Sequence, residues 1–511
     1  MPRISALMLL QGLPTFRVGV SCGEVGWAAG MIRGVPSPTP SYEDLAALVG
    51  ALEVDVRALR EDNERLQAEN AELRRRLGMD SSNSSRPPSS DGPYVKPSAL
   101  RGCSGGRPGK QRGQPGITRR QVEKPDETVP VEPGACDGCG TDLADAVVVG
   151  VQKRQVFEAW PPPPPRVVQF EVVARLCSCC GRVSVGRAPG WVTGRVQWGP
   201  SVAARGVLAT IGHHLPYGRA ARLLSRLCGL QVSTGFLVAA RRRAARLLEP
   251  FMARVRQLLR TAGVLHVDET PARAAGGLAY LHVACDERFT AMHTGGRSKD
   301  DIDAGGILDG YAGVLVRDGY AGYAHLVDAL HAWCGSHLLR DLKGVYDADP
   351  AGQPGAAAMA TTLTMALRAT KDARAAGATR LDEEQLAFLR SAYAGALATM
   401  RVDNAPARTP LQQRGLVLAN RFEVHRDMIL RFLHDLAVPF TNNSAEREIR
   451  PVKVKQRSGG CWRTLEGLAD FAVIWSYLST AAKHGLDHLD VLVELFSTGP
   501  WLPSAPDLAP T

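Results

Sequence analysis

The sequence predicts a multidomain α+β protein, and three observations carry that expectation. Leucines recur every seven residues near the start, two Cys-x-x-Cys pairs follow, and strand–turn units begin after Ala262 before an Ala-rich helical stretch. The chain has 511 residues, 45% of them apolar and 22% charged, the balance of a globular protein with sizeable cores. No apolar run approaches the roughly 20 residues needed to span a bilayer, so membrane-embedded classes are not expected. Net charge is +10. The basic excess gathers in residues 101–124 and 217–260, which fits a polyanionic partner, a solvated basic face being the simpler alternative. Eleven cysteines, clustered in part, suit reduced thiols and metal binding rather than a disulfide scaffold, and so a cytoplasmic setting.

Residues 1–40 lack periodicity. Met1–Leu10 has the look of a signal peptide and Val20-Ser-Cys22 that of a lipoprotein cleavage site, but Gln11-Gly12 and Arg17 break the apolar stretch. Export is therefore not expected. The segment reads as a disordered extension, or as sequence upstream of a start at Met31.

Residues 41–79 read as a leucine zipper. Leu45, Leu52, Leu59, Leu66 and Leu73 form a d-position ladder, and Val49, Val56, Asn63, Asn70 and Leu77 occupy the companion a positions. Buried Asn at a fixes register and favours two strands, so a parallel coiled coil and a homo-oligomer are expected. The plainer alternative is a lone amphipathic helix packed on the body. Residues 80–130, rich in Ser, Pro and Gly with the string Arg107-Pro-Gly-Lys-Gln-Arg-Gly113, read as a basic linker.

Residues 131–200 read as a zinc-binding β module. Cys136, Cys139, Cys177 and Cys180 can supply four thiolates to a structural Zn²⁺, with Cys179 as a spare and a hairpin-like interval over 155–175 between the pairs. A closed set of four ligands leaves no open position, so no catalysis is assigned to it. Residues 201–260 are helical throughout. Gly218–Cys228, a turn at Gly229–Ser233 and Thr234–Leu248 resemble a helix-turn-helix whose second helix carries Arg241, Arg242 and Arg243 as candidate DNA contacts. A helical brace burying a leucine face is the equal alternative.

Residues 261–349 read as the first part of a catalytic core. Strands are expected at Val264–Val267, Ala279–Ala284, Phe289–His293 and Val314–Val316, with a helix over Lys299–Leu308, an order that is ribonuclease-H-like. Asp268 and Asp318 follow the first and last of these strands. Residues 350–435 form an α-helical insertion, 436–490 return to the core, and 491–511 form a tail. The string Asn442-Asn-Ser-Ala-Glu-Arg447 starts a helix bearing Glu446 and the basic residues Arg447, Arg450, Lys453, Lys455 and Arg457, and Pro451 is expected to kink or end it early.

Two carboxylates at strand exits and one on a helix can hold a pair of divalent ions for phosphodiester chemistry, with basic residues beside them on a nucleic-acid backbone. Each has a plainer reading. Asp268 can cap a turn with Thr270, Asp318-Gly319 is a common turn pair, and Glu446 stands at capping-box spacing from Asn443. Glu269, Asp286 and Glu448 are less well placed by the same logic.

Several strings, taken in order, resemble bacterial transposases of the insertion-sequence-66 family. They are the zipper, Asn83-Ser-Ser-Arg-Pro-Pro-Ser-Ser-Asp91, Gly113-Gln-Pro-Gly116, the cysteine knuckles and His214-Leu-Pro-Tyr217. His266-Val-Asp-Glu-Thr270, Arg317-Asp-Gly-Tyr320, Cys334-x-x-His337 and Asn442-Asn-x-Ala-Glu-Arg-x-x-Arg-Pro451 complete the series, the last being the most specific. The resemblance implies a retroviral-integrase-like DDE fold with Asp268, Asp318 and Glu446 as the triad on two Mg²⁺ (or Mn²⁺) ions. It also implies cutting at element ends, strand transfer into target DNA, zinc and zipper regions serving end recognition and multimerisation, and accessory proteins of the same element. This chain departs from the family in placing Trp333 before Cys334 rather than after it, and Lys455-Gln-Arg457 where an Arg-Lys pair is usual. A non-catalytic zinc and zipper DNA-binding regulator, and a nuclease of the same fold, are the rival readings. The expected setting is cytoplasmic and nucleoid-associated.

Overall fold

The computed structural model describes residues 41–77, 120–159 and 161–504. The expected amino-terminal extension, most of the linker and residues 505–511 of the tail lie outside the described residues. The chain divides into two units, residues 1–69 and 70–511.

Helix α1 (Tyr42–Leu77) is a single element of 36 residues. All five ladder leucines are half exposed or more, from 50% at Leu45 to 67% at Leu59. Those leucines share one side because a seven-residue step falls about 20° short of two helical turns.

In the second unit, β1 (Ala174–Leu176) and β2 (Val183–Val185) pair antiparallel around the second cysteine pair. The expected hairpin over 155–175 does not form: residues 155–159 and 161–173 carry no strand. Pro161–Pro165 supply no N–H donors, so this stretch cannot build a ladder.

Helices α2 (Pro200–Val207), α3 (Tyr217–Cys228), α4 (Thr234–Leu247) and α5 (Glu249–Arg260) follow, with a π-helical turn at Leu208–Gly212 after α2. Gly229 ends α3 in the left-handed region (φ 66°), and the Ser233 hydroxyl accepts from Phe236 N to start α4. The helix–turn–helix outline is thus present, but Arg241 is not at its surface. Leu237, Ala240, Arg241 and Ala244 share the buried face of α4, where Arg241 Nε donates to Asp470 Oδ2 at 2.8 Å and Nη1 to the Tyr217 hydroxyl at 2.9 Å. Breaking a pair buried to this degree strands the partner charge, so Arg241→Ala is expected to cost about 3 kcal/mol, measurable by urea unfolding.

The central sheet has five strands in the order β5-β4-β3-β6-β7. They are β3 (Val264–Ala274), β4 (Gly277–Cys285), β5 (Thr290–Gly295), β6 (Val314–Arg317) and β7 (Leu330–Trp333). β4 runs antiparallel to both β3 and β5, whereas β6 runs parallel to β3 and β7. Helix α6 (Lys299–Asp303) stops short of the expected Leu308, because Gly306 turns the chain with φ 68°. Helices α7 (Gly335–Tyr346), α8 (Pro354–Ala375), α9 (Glu383–Asn404), α10 (Pro410–Val424) and α11 (Arg426–His434) then separate β7 from α12 (Asn443–Gly459). Helices α13 (Leu465–Lys483) and α14 (His488–Ser497) complete the unit.

The period-two alternation of β6 divides the interior. Leu315 joins a core with Leu265, Val267 and helices α2, α4, α5, α13 and α14, whereas Val314 and Val316 join a second core built from α7 to α11. The edge strand β5 is covered by α13: Met292 N donates to the Ser476 hydroxyl at 2.9 Å and Thr290 N to that of Thr480 at 3.1 Å. Pro451 does not end α12, which continues to Gly459. One lost hydrogen bond is offset by packing, since Ala445 and Val452 are fully buried against the sheet and Lys453 Nζ donates to Pro271 O at 2.8 Å.

Candidate active site

Strand register brings the first two carboxylates together. β3 and β6 pair in parallel with Val264 opposite Val314, Leu265 opposite Leu315 and His266 opposite Val316. Asp268 and Asp318 each stand two residues beyond His266 and Val316, on the same face of adjacent strands that lie about 4.8 Å apart. Asp318 falls one residue past the end of β6, where its Oδ1 accepts from Tyr320 N at 2.9 Å in an Asx turn. That turn is held from beneath. The buried Arg317 guanidinium donates to Asp318 O at 2.9 Å and Tyr320 O at 3.0 Å, while its Nε meets His331 Nδ1 at 2.8 Å.

Glu446 arrives from α12, and one side chain fixes that helix start. Buried Asn442 places Oδ1 2.9 Å from His266 Nδ1, donates through Nδ2 to Val267 O at 2.7 Å, and donates its main-chain N–H to Cys334 Sγ at 3.2 Å. Asn442 thereby joins β3, the start of α7 and the start of α12, directly before the strand residue Asp268. The capping box does not form: the N-cap makes no side-chain hydrogen bond, and Glu446 Oε1 is buried without a hydrogen-bond partner. The nearest basic groups to that oxygen are His337 Nδ1 at 3.7 Å and Arg340 Nη2 at 3.9 Å.

The carboxylates lie close enough to act on one another. Burial, then Asp318, Glu269 and Glu446 in that order, push the Asp268 carboxyl well above its ordinary pKa. Burial and Arg340 hold His337 below its ordinary value, so the ring is neutral at pH 7. Asp268 and Asp318, with Glu446 nearby, form an oxygen donor set suited to hard divalent ions.

The other nearby acids have structural partners. Glu269 pairs with Arg297 Nη2 at 2.7 Å and accepts from the Tyr323 hydroxyl at 2.9 Å. Asp286 caps its own turn through Arg288 N and Phe289 N. Buried Glu448 accepts from the Ser479 hydroxyl at 2.6 Å and lies 3.4 Å from Lys483 Nζ, which also donates to Asp286 O and Phe289 O. We expect Glu448→Ala to lose about 3 kcal/mol of stability, read by thermal melting, while leaving metal-dependent cleavage in the folded fraction within a few-fold of wild type.

The two cysteine knuckles repeat one geometry. Cys136 N bonds Thr141 O and Gly140 N bonds Cys136 O, both at 2.8 Å, and Cys177 N bonds Arg182 O at 2.8 Å and Gly181 N bonds Cys177 O at 2.9 Å. Gly140 and Gly181 take φ of 74° and 70°, which closes each turn. The Thr141 hydroxyl and N–H lower the Cys139 pKa, and the N–H groups of Cys180 and Cys179 lower that of Cys177. One thiol of each pair is thus eased toward the thiolate, but among the described residues the four sulfurs do not form one cluster. The group of potential metal ligands that does converge among the described residues is Cys334, His337 and Glu446.

The basic candidates divide. Arg447, Arg450 and Arg457 are exposed on α12, and Lys453 and Lys455 are half-buried beside them. On α4, Arg242 is exposed near Glu466, and Arg243 lies over the Phe496 ring at 5.7 Å.

With this geometry in place, comparison with known proteins is decisive for the family. The model of the Transposase IS66 family matches residues 195–470, which include Asp268, Asp318, Glu446 and the whole central sheet. The chain belongs to that family. The transposase also matches, over residues 37–120, the model of a family of unknown function. No curated protein matches it. Among its described residues no helix is long and apolar enough to cross a membrane.

Proposed function

We propose that this transposase cuts the ends of its insertion element and joins the freed 3′-OH to target DNA at one carboxylate site. The observation that carries this reading is the parallel register that sets Asp268 beside Asp318, with Glu446 delivered to them by α12. The sheet order, three antiparallel strands followed by two parallel ones, supports assigning the core to the ribonuclease-H-like class. Asp268, Asp318 and Glu446 would hold two Mg²⁺ or Mn²⁺ ions, which supply charge neutralisation and an activated attacking oxygen when bound. Of the chain's own groups, β3 and β6 fix the two aspartates, Asn442 sets the position of α12, and Arg317 fixes the Asp318 turn. Arg447, Arg450, Lys453, Lys455 and Arg457 line a basic stripe for DNA phosphates, with Arg242 and Arg243 of α4 as further contacts. Arg241, consumed by its ion pair, has no part in it. Cys136, Cys139, Cys177 and Cys180 suit Zn²⁺ as sulfur donors, and a shared ion requires the knuckles to approach each other.

The test is cleavage and joining of labelled element-end DNA in Mg²⁺ by wild type and Asp268→Asn in parallel. Joined products lost in the variant support the proposal. Cleavage without joining would favour the nuclease, and tight binding with no chemistry from either protein the non-catalytic regulator.

We further propose that α1 pairs with α1 of a second copy. Its exposed leucine ladder has the pattern for a parallel two-stranded coil, and two element ends must be held at once. Leu59→Asp should weaken self-association by at least about 2 kcal/mol, the burial worth of one leucine, as read by sedimentation. An unchanged oligomer would sink the zipper.

A further inference from the structure

Cys334, His337 and Glu446 make a constellation that the carboxylate chemistry does not require. Cys334 is the last residue before α7, His337 lies in its first turn, and Glu446 lies in the first turn of α12. One ligand atom from each falls within 4.8 Å of the others. His337 Nδ1 and Glu446 Oε1 are both buried, both lack a hydrogen-bond partner, and stand 3.7 Å apart. An imidazole and a carboxylate in that relation are too far apart for a direct hydrogen bond, and burial without a partner is costly for each. Tetrahedral Zn²⁺ with bonds of about 2.3 Å to sulfur and about 2.0–2.2 Å to nitrogen and oxygen would set its ligands about 3.3–3.6 Å apart. The 3.7 Å between His337 and Glu446 needs little contraction to meet that, and the sulfur lies within 4.8 Å of both. Cys334 Sγ already receives Asn442 N–H at 3.2 Å, a bond that would stabilise negative charge on the sulfur.

We propose that Cys334, His337 and Glu446 form a binding site for a soft divalent transition metal, Zn²⁺ foremost, whose occupation withdraws Glu446 from the Asp268–Asp318 pair. Thiolate and imidazole select Zn²⁺ over Mg²⁺, which takes oxygen ligands, so this site and the carboxylate pair prefer different ions. The Cys334 thiol gives its proton to solvent as the sulfur–metal bond forms, and water takes the open fourth position. Arg340 Nη2, 3.9 Å from Glu446 Oε1, opposes a second cation and must swing toward solvent, which its 24% exposed side chain permits. Binding requires only the three ligands. The inhibitory consequence rests on the proposed role of Glu446 in the reaction.

The test uses the full chain, with Co²⁺ as the spectroscopic probe and Zn²⁺ as the inhibitor. Wild type, Cys334→Ser and His337→Gln all keep the four knuckle cysteines, so their difference spectra isolate this site. His337, partly exposed, guards against a misfolded Cys334 variant, and circular dichroism verifies both folds. The expected result is a loss of about one equivalent of bound Co²⁺ per chain in each variant, with weaker sulfur-to-cobalt charge-transfer absorption in Cys334→Ser. Equal stoichiometry and spectra in all three proteins overturn the site. In the second arm, Zn²⁺ at a concentration that fills the site should slow Mg²⁺-supported end cleavage by wild type at least about tenfold. His337→Gln, measured against its own zinc-free rate, should resist. Site-specific binding without inhibition overturns the withdrawal of Glu446, and with it the placing of Glu446 in the reaction, while the metal site stands.

Discussion

Asp268→Asn is expected to reduce end cleavage and joining by at least about 10³-fold, or about 4 kcal/mol of transition-state stabilisation, with DNA affinity nearly unchanged. Asn keeps the shape of the side chain and can still accept from Glu269 N as Asp268 Oδ1 does at 2.8 Å, so the strand should not distort. What it loses is the charge, and that charge has a thermodynamic signature. Burial and the neighbouring Asp318, Glu269 and Glu446 carboxylates raise the Asp268 pKa in the folded chain above its ordinary value of 3.8. The folded state therefore binds this proton more tightly than the unfolded one. The resulting stability is fully present below the unfolded pKa and is lost as pH rises through the elevated folded pKa. At neutral pH the ionised carboxylate is a liability, so metal-free Asp268→Asn should melt higher than metal-free wild type, with the gap closing under acid conditions. Mg²⁺ should reverse the order, since a ligand at about 100 times its Kd stabilises the wild type by about 2.7 kcal/mol. Thermal melting with and without Mg²⁺ reads this directly. A variant melting at or below the metal-free wild type would contradict the repulsive cluster, whatever its activity.

The second large effect is expected at a residue that touches no phosphate. Asn442→Ala leaves His266 Nδ1 and Val267 O without their side-chain partner in a buried setting, at about 1–3 kcal/mol for each unsatisfied group. We expect a total loss of about 2–5 kcal/mol by urea unfolding. The rate should fall as well, by about 10² in the folded fraction, because Asn442 is the N-cap of the helix that delivers Glu446 and displacements near 1 Å cost that much. Asn442→Asp distinguishes the two bonds: it can accept from His266 Nδ1–H but cannot donate to Val267 O. Wild-type cleavage by folded Asn442→Ala would show that the helix start is fixed by other contacts.

The sequence was most readable where periodicity and chemistry coincide. The strands at Val264 and Val314 follow short apolar runs, and each sets its aspartate two residues beyond a paired residue, so register follows from pattern. β7 (Leu330–Trp333) was not expected, because Leu-His-Ala-Trp has no β-branched residue and owes its conformation to parallel pairing with β6. The supporting residues were harder still. Arg317 and Asn442 look like surface polar residues in a linear string, and only distant partners reveal them as buried scaffolding. Arg241 carried a usable signal that was outweighed by its neighbours. Leu237, Arg241, Ala244 and Leu248 recur with helical spacing, so the arginine run divides into one inward and several outward positions. Pro451 shows local propensity yielding to tertiary packing, whereas in the run Pro161–Pro165 local chemistry prevails and prevents the expected hairpin.

The long helical excursion between β7 and α12 gives the candidate site a place in time. Asp268 and Asp318 can pair as soon as β6 has formed beside β3, but Glu446 must wait until α7 to α11 have been synthesised. At typical elongation rates of about 5–20 residues per second, that delay is on the order of ten seconds. A nascent chain, or a copy truncated by frameshift between Asp318 and α12, would carry two aspartates without the third carboxylate. Such fragments would also lack α13 and α14, which cover β5 and complete the first core. The third carboxylate thus arrives only with the helices that close the fold.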